Sequence, residues 1–352
     1  MGTTAGQARS VRETTTRAVV LTRRPVGQVV RVEDFEIADI GLPALGPDEV
    51  LVENHYMSVD PSTRGRLEDF EKHYTQNFAL GAPLDGMAVG QVVASKSADV
   101  PEGAWVRHQL GWREHSVVRA DEVRRIRVDR APAPYWLGVL GLTGLTAYVG
   151  LTEIAQIVPG DTVWVSGAAG GVGSVAGQMA RNLGAVHVVG TAGGPDKARA
   201  LVDDFGFDAG LDYREPDLAG RLRAASADGY SVYFDNVGGE QLTTALDLLN
   251  PFGRIALCGM ISNFGVDFSA QHQGPAVDQL IQAVLKRLTL RGFIARDHFD
   301  LQDKFEDDVI GWIDRGEMVV MQTVREGIAD APEALIGVLT GANLGKMLVK
   351  LA

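Results

Sequence analysis

Cysteine is almost absent: Cys258 stands alone among 352 residues. One thiol excludes an intramolecular disulfide framework and any zinc site built on two or more thiolates. It fits a reducing compartment, so the expected location is cytoplasmic. Positive charge is also scarce. Lys and Arg number 33 against 45 Asp and Glu, a net charge of −12. That balance argues against nucleic acid or an anionic membrane surface as the main partner. Long hydrophobic runs are missing too. The uncharged stretches 131–152 and 162–180 are broken by glycine, and the first also by Pro132 and Pro134. Neither is the Leu/Ile-rich run that a membrane span needs, and both read as buried elements of an α/β fold. Residues 1–16 are polar and Thr-rich, and 1–15 read as a disordered tail. Gly6 stands where a myristoylation signal after Gly2 requires Ser or Thr.

Several catalytic signatures are lacking. The seven histidines (His55, His73, His108, His115, His187, His272, His298) show no close metal-ligand spacing. There is no GxSxG elbow, no Walker A motif and no Ser/His/Asp arrangement. No metal site is expected.

Glycine is plentiful, 42 residues, and its placement follows the change in pattern along the chain. Up to residue 130 the sequence reads as mostly β, with strands over 50–59, 89–95, 105–108 and 114–119. Residues 64–78 between them read as a loop with a helical turn. After Pro134 strands and helices alternate at βαβ spacing. Strands are expected at 162–165, 187–190, 209–212, 231–235 and 254–258. Helices are expected at 174–183, 196–205, 217–225 and 240–249. Such alternation implies a parallel sheet covered on both faces. A strand (318–324), a helix (331–339) and a last strand (346–351) end the chain.

The central motif is Ser166-Gly-Ala-Ala-Gly-Gly-Val-Gly-Ser174. It lies between a strand and an amphipathic helix, the context a dinucleotide-binding turn requires. Gly167, Ala169, Gly170, Gly171, Val172 and Gly173 would let a pyrophosphate approach unpaired amides at the helix start. The alternative is a tight turn with no ligand.

The preferred dinucleotide follows from another absence. No Asp or Glu occurs from Ser174 to Pro195, where NAD-preferring folds place an acid for the ribose hydroxyls. The next turn, Thr191-Ala-Gly-Gly194, is open and uncharged, and Lys197 and Arg199 follow it. Those cations either face a 2′-phosphate, which selects NADP(H), or solvate a helix face. Two more turns follow strands, at 235–239 and 258–262. Asn236, Cys258 and Gly259 are therefore expected at the nicotinamide end, Cys258 through its backbone alone.

Taken together, these residues resemble the zinc-independent branch of the medium-chain dehydrogenase/reductase superfamily. The similarity is to its alkenal/one double-bond reductases: prostaglandin reductases, plant double-bond reductases and bacterial curcumin reductases. The matching stretches run in family order over residues 16–352. They are Met57-Ser-Val-Asp-Pro-Ser-Thr-Arg-Gly-Arg66, Gly111-Trp-Arg-Glu-His115, Gly144-Leu-Thr-Ala-Tyr148, the 166–174 turn, Tyr233-Phe-Asp-Asn-Val-Gly-Gly239, Gly292-Phe293 and Gly341-Ala-Asn-Leu-Gly-Lys346.

The resemblance implies a GroES-like β-rich catalytic domain from 16–134 and 311–352, and a Rossmann doubly wound parallel sheet over 135–310. It implies NADP(H), a homodimer and no metal. Lys197 and Tyr213 would hold the 2′-phosphate. Thr146, Asn236, Phe293 and Asn343 would lie near the ribose and nicotinamide. The implied reaction is reduction of the carbon–carbon double bond of an enone or enal, with hydride to the β-carbon and a proton to the α-carbon.

Two positions depart from the family pattern. Ser62 and Thr63 follow Pro61 where the family has Tyr-Met, and Phe264 replaces a tyrosine on the substrate side. Without that hydroxyl, the candidate donors are Tyr56, which equally suits a packed strand aromatic, and Tyr74. The departures keep other functions open: a quinone oxidoreductase, a biosynthetic tailoring reductase or cyclase, and a catalytically silent NADPH-binding protein.

Overall fold

The computed structural model describes residues 15–25, 27, 29–68, 76–263 and 279–352. The first part runs β1 (Thr15–Leu21), β2 (Phe35–Gly41), β3 (Glu49–Ser58), α1 (Thr63–Arg66), β4 (Ala88–Ser95), β5 (Trp105–His108), β6 (His115–Arg119) and β7 (Arg124–Arg125). The middle runs α2 (Leu142–Val149), β8 (Thr162–Val165), α3 (Gly171–Asn182), β9 (His187–Ala192), α4 (Pro195–Asp203), β10 (Ala209–Asp212), α5 (Leu218–Ala225), β11 (Tyr230–Asp235), α6 (Gly239–Leu248), β12 (Leu249–Leu257), α7 (Ile281–Lys286) and β13 (Thr289–Gly292). The chain ends with α8 (Gln302–Asp314), β14 (Gln322–Glu326), α9 (Ala331–Thr340) and β15 (Lys346–Lys350).

Two larger sheets carry the fold. The strands β10-β9-β8-β11-β12-β13 form a six-stranded sheet whose pairings are all parallel. Helices cover it, and its strands are accordingly apolar on both faces: Val163, Trp164 and Val165 are each fully buried. Helix α3 packs closely on the segment that leads into β10 because Gly177 faces Phe207. A Cβ there would sit 2.0 Å from the ring. The second sheet has the order β14-β15-β3-β4-β5-β7, with β6 also on β3. It joins the two ends of the chain, since Leu348 of β15 pairs antiparallel with Ser58 of β3. Among the described residues no helix is long and apolar enough to cross a membrane.

The structure moves several boundaries. Thr15, expected in the tail, opens β1, and residues 1–14 lie outside the described residues. Helix α3 starts at Gly171, three residues before the expected position, because the glycine turn itself supplies its first turn. The strand expected at 318–324 is β14 at Gln322–Glu326. Met318 is instead buried in the main core, and pairing begins only at Gln322, opposite Lys346. Elements β1, β2, α2, α7, β13 and α8 were not among those expected, although Phe305, Val309 and Trp312 share one buried face of α8.

Candidate active site

The glycine turn joins β8 to α3. Gly167 has φ +57°, and a Cβ on Gly173 would lie 2.3 Å from the Gly167 carbonyl. Only glycine allows that crossing. Helix α3 is 12 residues long and begins at Gly171 beside half-buried Val172. Its first amides lack intrahelical acceptors and, with the helix dipole, suit a pyrophosphate. Ala169 is buried, and its carbonyl accepts from Gly345 N at 2.9 Å.

A cationic corner lies beside the open turn after β9, where the adenosine end of a dinucleotide would come. Lys197, in the first turn of α4, is half-buried, and its Nζ donates to the Gly341 carbonyl at 2.7 Å. Burial and the nearby Arg214 charge hold its pKa below that of an ordinary lysine. A Cβ on Gly193 would lie 3.1 Å from the Arg214 guanidinium and 3.2 Å from the Tyr213 ring. Asp212 anchors this corner by accepting from Gly194 N at 2.9 Å and Arg214 N at 3.0 Å. Burial works to raise the Asp212 pKa. The two amides and Arg214 outweigh it, and the carboxyl stays below the usual range. Arg199, by contrast, pairs with Asp196 on the exposed side of α4, so it solvates a helix face. Arg214, which the sequence does not single out, is the arginine that lies beside the open turn, at Gly193.

At the other end, Asn236 Nδ2 donates to the Ser166 carbonyl at 2.7 Å, and Asn236 N donates to Ser166 Oγ at 2.9 Å. Asp235 holds this turn. Its Oδ1 accepts from Ser166 Oγ, Tyr233 OH, Val237 N and Gly238 N. Cys258 and Gly259 both donate their amides to the Asp235 carbonyl. Burial, then the Asp235 charge, push the Cys258 thiol up to about 12.

The remaining expected residues are more dispersed. The Thr146 hydroxyl donates to Leu142 O within α2, and the neighbouring Thr143 methyl touches Gly171. The Phe293 ring packs over Gly150 beside Phe234. Asn343 is buried and donates from Nδ2 to Gly345 O at 2.7 Å. Tyr56 is half-buried in β3, between Val89 and Lys350. It shares a strand face with Ser58. Tyr74 and Phe264 lie outside the described residues.

Two family models match, described as an N-terminal domain of oxidoreductase over residues 17–126 and a zinc-binding dehydrogenase over 171–315. The chain is 36% identical to the NADP(+)-dependent 2-alkenal reductase of Nicotiana tabacum, over 90% of this chain and 92% of that protein. It is 38% identical to prostaglandin reductase 1 of Bos taurus, over 90% and 94%. Among solved structures, CurA from Vibrio vulnificus in complex with NADPH superposes with a TM-score of 0.89. That match has 35% identity and covers 96% of this chain and 99% of CurA.

The chain belongs to the zinc-independent branch of the medium-chain dehydrogenases/reductases.

This medium-chain reductase is an NADP-dependent oxidoreductase, and its cofactor is NADP(H). The residues present fit that cofactor: the turn at Gly173 excludes a side chain, and cations cluster where the preceding helix carries no acid. They do not fit the zinc named in the second family description. Among the described residues no three His, Cys, Asp or Glu side chains gather as a metal-holding group. His108 has both nitrogens engaged, Nδ1 by Leu110 N and Nε2 by Asn54 Oδ1. Burial, then Arg113, drives its pKa down to about 3.

Proposed function

We propose that this chain uses NADPH to reduce the carbon–carbon double bond of α,β-unsaturated ketones and aldehydes. The observation that carries this reading is the match to an alkenal reductase and a prostaglandin reductase over nine-tenths of the chain. The NADPH cradle described above agrees with it. When bound, NADPH supplies the hydride, which goes to the β-carbon. The protein then has to stabilise the negative charge that gathers on the carbonyl oxygen. A proton from water completes the α-carbon.

In this reading the glycine turn binds the pyrophosphate. Lys197, Tyr213 and Arg214 hold the 2′-phosphate. Thr146, Asn236, Phe293, Asn343 and the backbone at Cys258 and Gly259 serve the nicotinamide half. Tyr56 offers its hydroxyl to the substrate oxygen.

The working form is a cytoplasmic homodimer with a two-domain division near residues 134 and 310. Support for the dimer lies at one edge of the parallel sheet. Strand β13 ends that sheet, and the adjoining α7 leaves Ile281, Val284 and Leu285 49%, 68% and 59% exposed. An open edge beside an apolar helix face suits a second copy. Light scattering on the purified protein reads this directly.

The test of activity is NADPH consumption over a panel of enones, enals and quinones, with products identified by mass. A saturated ketone or aldehyde carrying deuterium at the β-carbon from labelled NADPH is the expected result. Turnover of quinones alone, or NADPH binding with no turnover, overturns the proposal.

A further inference from the structure

One side chain spans the two halves of the candidate site. The return segment reaches the glycine turn at Gly345, whose N donates to Ala169 O. Gly345 has φ +67°, and a Cβ on it would lie 2.1 Å from the Met321 carbonyl, so this crossing is open only to glycine. The next residue, Lys346, is 5% exposed. Its stem runs along the glycine turn, where a Cβ on Gly171 would meet Lys346 Cδ at 3.2 Å. Its ammonium ends in the other sheet's turn. Nζ donates to the Val59 carbonyl at 2.8 Å and to Asp60 Oδ1 at 2.8 Å. Asp60 Oδ2 accepts the Ser58 hydroxyl. The same turn closes through Thr63 N on Asp60 O at 3.1 Å, and Val59 N donates to Met347 O at 3.2 Å.

Packing alone does not call for this arrangement. A methionine would fill the path of the lysine stem without bringing a charge out of water. A buried ammonium is costly unless it is paired and hydrogen-bonded, and such pairs add little net stability. What a charged pair supplies is a defined geometry between the elements it joins. Here those elements are the pyrophosphate turn and the Ser58–Thr63 turn, which directly follows the strand carrying Tyr56.

We propose that Lys346 and Asp60 are positioning residues that lock the Ser58–Thr63 turn to the glycine turn, so that an occupied glycine turn orders the substrate side. The effect on turnover rests on the double-bond-reductase reading; the ordering itself does not. Small misplacements of reacting groups slow catalysis by orders of magnitude, so the pair should act on rate more than on cofactor affinity.

The test uses the full chain with Lys346→Met, Lys346→Arg, Asp60→Asn and the Lys346→Met/Asp60→Asn double variant. Hydrogen exchange is followed with and without NADPH, together with enone kinetics. In the wild type, NADPH should slow exchange in both turns. In Lys346→Met, protection should persist at residues 166–174 and disappear at Ser58, Val59 and Thr63. NADPH Kd should stay within about threefold, while kcat falls roughly 10- to 100-fold. Lys346→Arg should restore part of the rate, and the double variant should be no slower than either single one. Equal protection of the 58–63 turn in folded Lys346→Met and Asp60→Asn overturns the proposal. So does a rate loss accounted for by NADPH Kd. If Lys346→Met fails to fold, Asp60→Asn decides. If the wild type turns over no enone, the reductase reading falls, and the exchange measurement still decides the role of the pair.

Discussion

Lys197 Nζ donates a 2.7 Å hydrogen bond to the carbonyl of Gly341. The cation that opens α4 thus reaches the segment returning to the other sheet. With Tyr213 and Arg214 it forms a corner that a 2′-phosphate would fill, replacing a neutral acceptor with an anion.

Removing either cation should therefore change cofactor choice more than fold. Loss of a charge-assisted contact is worth about 1.5–3 kcal/mol. Lys197→Met and Arg214→Gln should each raise the KM for NADPH roughly 10- to 100-fold and leave that for NADH nearly unchanged. The pKa of Lys197 lies below the ordinary 10.5, so its charge is lost at a lower pH than usual. NADPH affinity should fall on the alkaline side earlier than a solvent-exposed lysine would give, and binding there should take up a proton. Titration calorimetry in buffers of different ionisation enthalpy measures that uptake. An unchanged NADPH/NADH ratio in both variants would remove the corner from cofactor recognition.

The glycines of the 166–174 turn should separate by function. A Cβ on Gly173 collides with the Gly167 carbonyl at 2.3 Å, whereas one on Gly170 meets its nearest neighbour at 3.3 Å. Gly173→Ala is expected to destabilise the turn and to lower the unfolding midpoint. Gly170→Ala, at the N-cap of α3, should lower the midpoint less than Gly173→Ala and weaken NADPH binding, because its methyl group would stand in the pyrophosphate approach. Circular dichroism melts and fluorescence titration distinguish the two.

Asp235 should govern stability. Four donors converge on its Oδ1, and its Oδ2 is buried with no partner. Asp235→Ala strands these donors and should cost about 3 kcal/mol or more. Asp235→Asn keeps an acceptor oxygen and should cost less. Burial raises the Asp235 pKa above 3.8, and the hydrogen bonds to it only partly offset that rise. Its contribution to folding is therefore complete below 3.8 and is lost as pH rises through the raised value. Urea midpoints between about pH 4 and pH 7 should show this slope in the wild type and a flatter one in Asp235→Asn.

Tyr56→Phe should lower kcat for an enone about 10- to 100-fold with NADPH Kd unchanged. Equal kcat would mark Tyr56 as a packed strand aromatic.

The parallel sheet and the glycine turn were legible because their signals are local. Alternating apolar runs and helix faces repeat within a few residues, and the turn needs glycine where a Cβ would strike Gly167. Arg214 was not legible as a neighbour of the open turn. An arginine after a strand has no local mark, and its proximity to Gly193 arises only when β10 pairs with β9. Arg199 shows the opposite case. It is near the open turn in sequence, yet its place on α4 points it at Asp196. Strand β14 began late because register with β15, not hydrophobicity, fixes where pairing starts.

Composition and short-range pattern thus determined the βαβ sheet, the dinucleotide turn, the lack of a thiolate metal site and the preference for a phosphorylated cofactor. Those properties depend on residue types and on spacing within one turn. Tertiary structure alone decided that Arg214 lies at Gly193, that Asp235 gathers four donors, and that Lys346 reaches Asp60. Each joins residues distant in the chain, and Lys346 and Asp60 meet only because β15 folds back onto β3. No periodicity encodes such a contact, since it depends on which strands pair within a sheet and in what register.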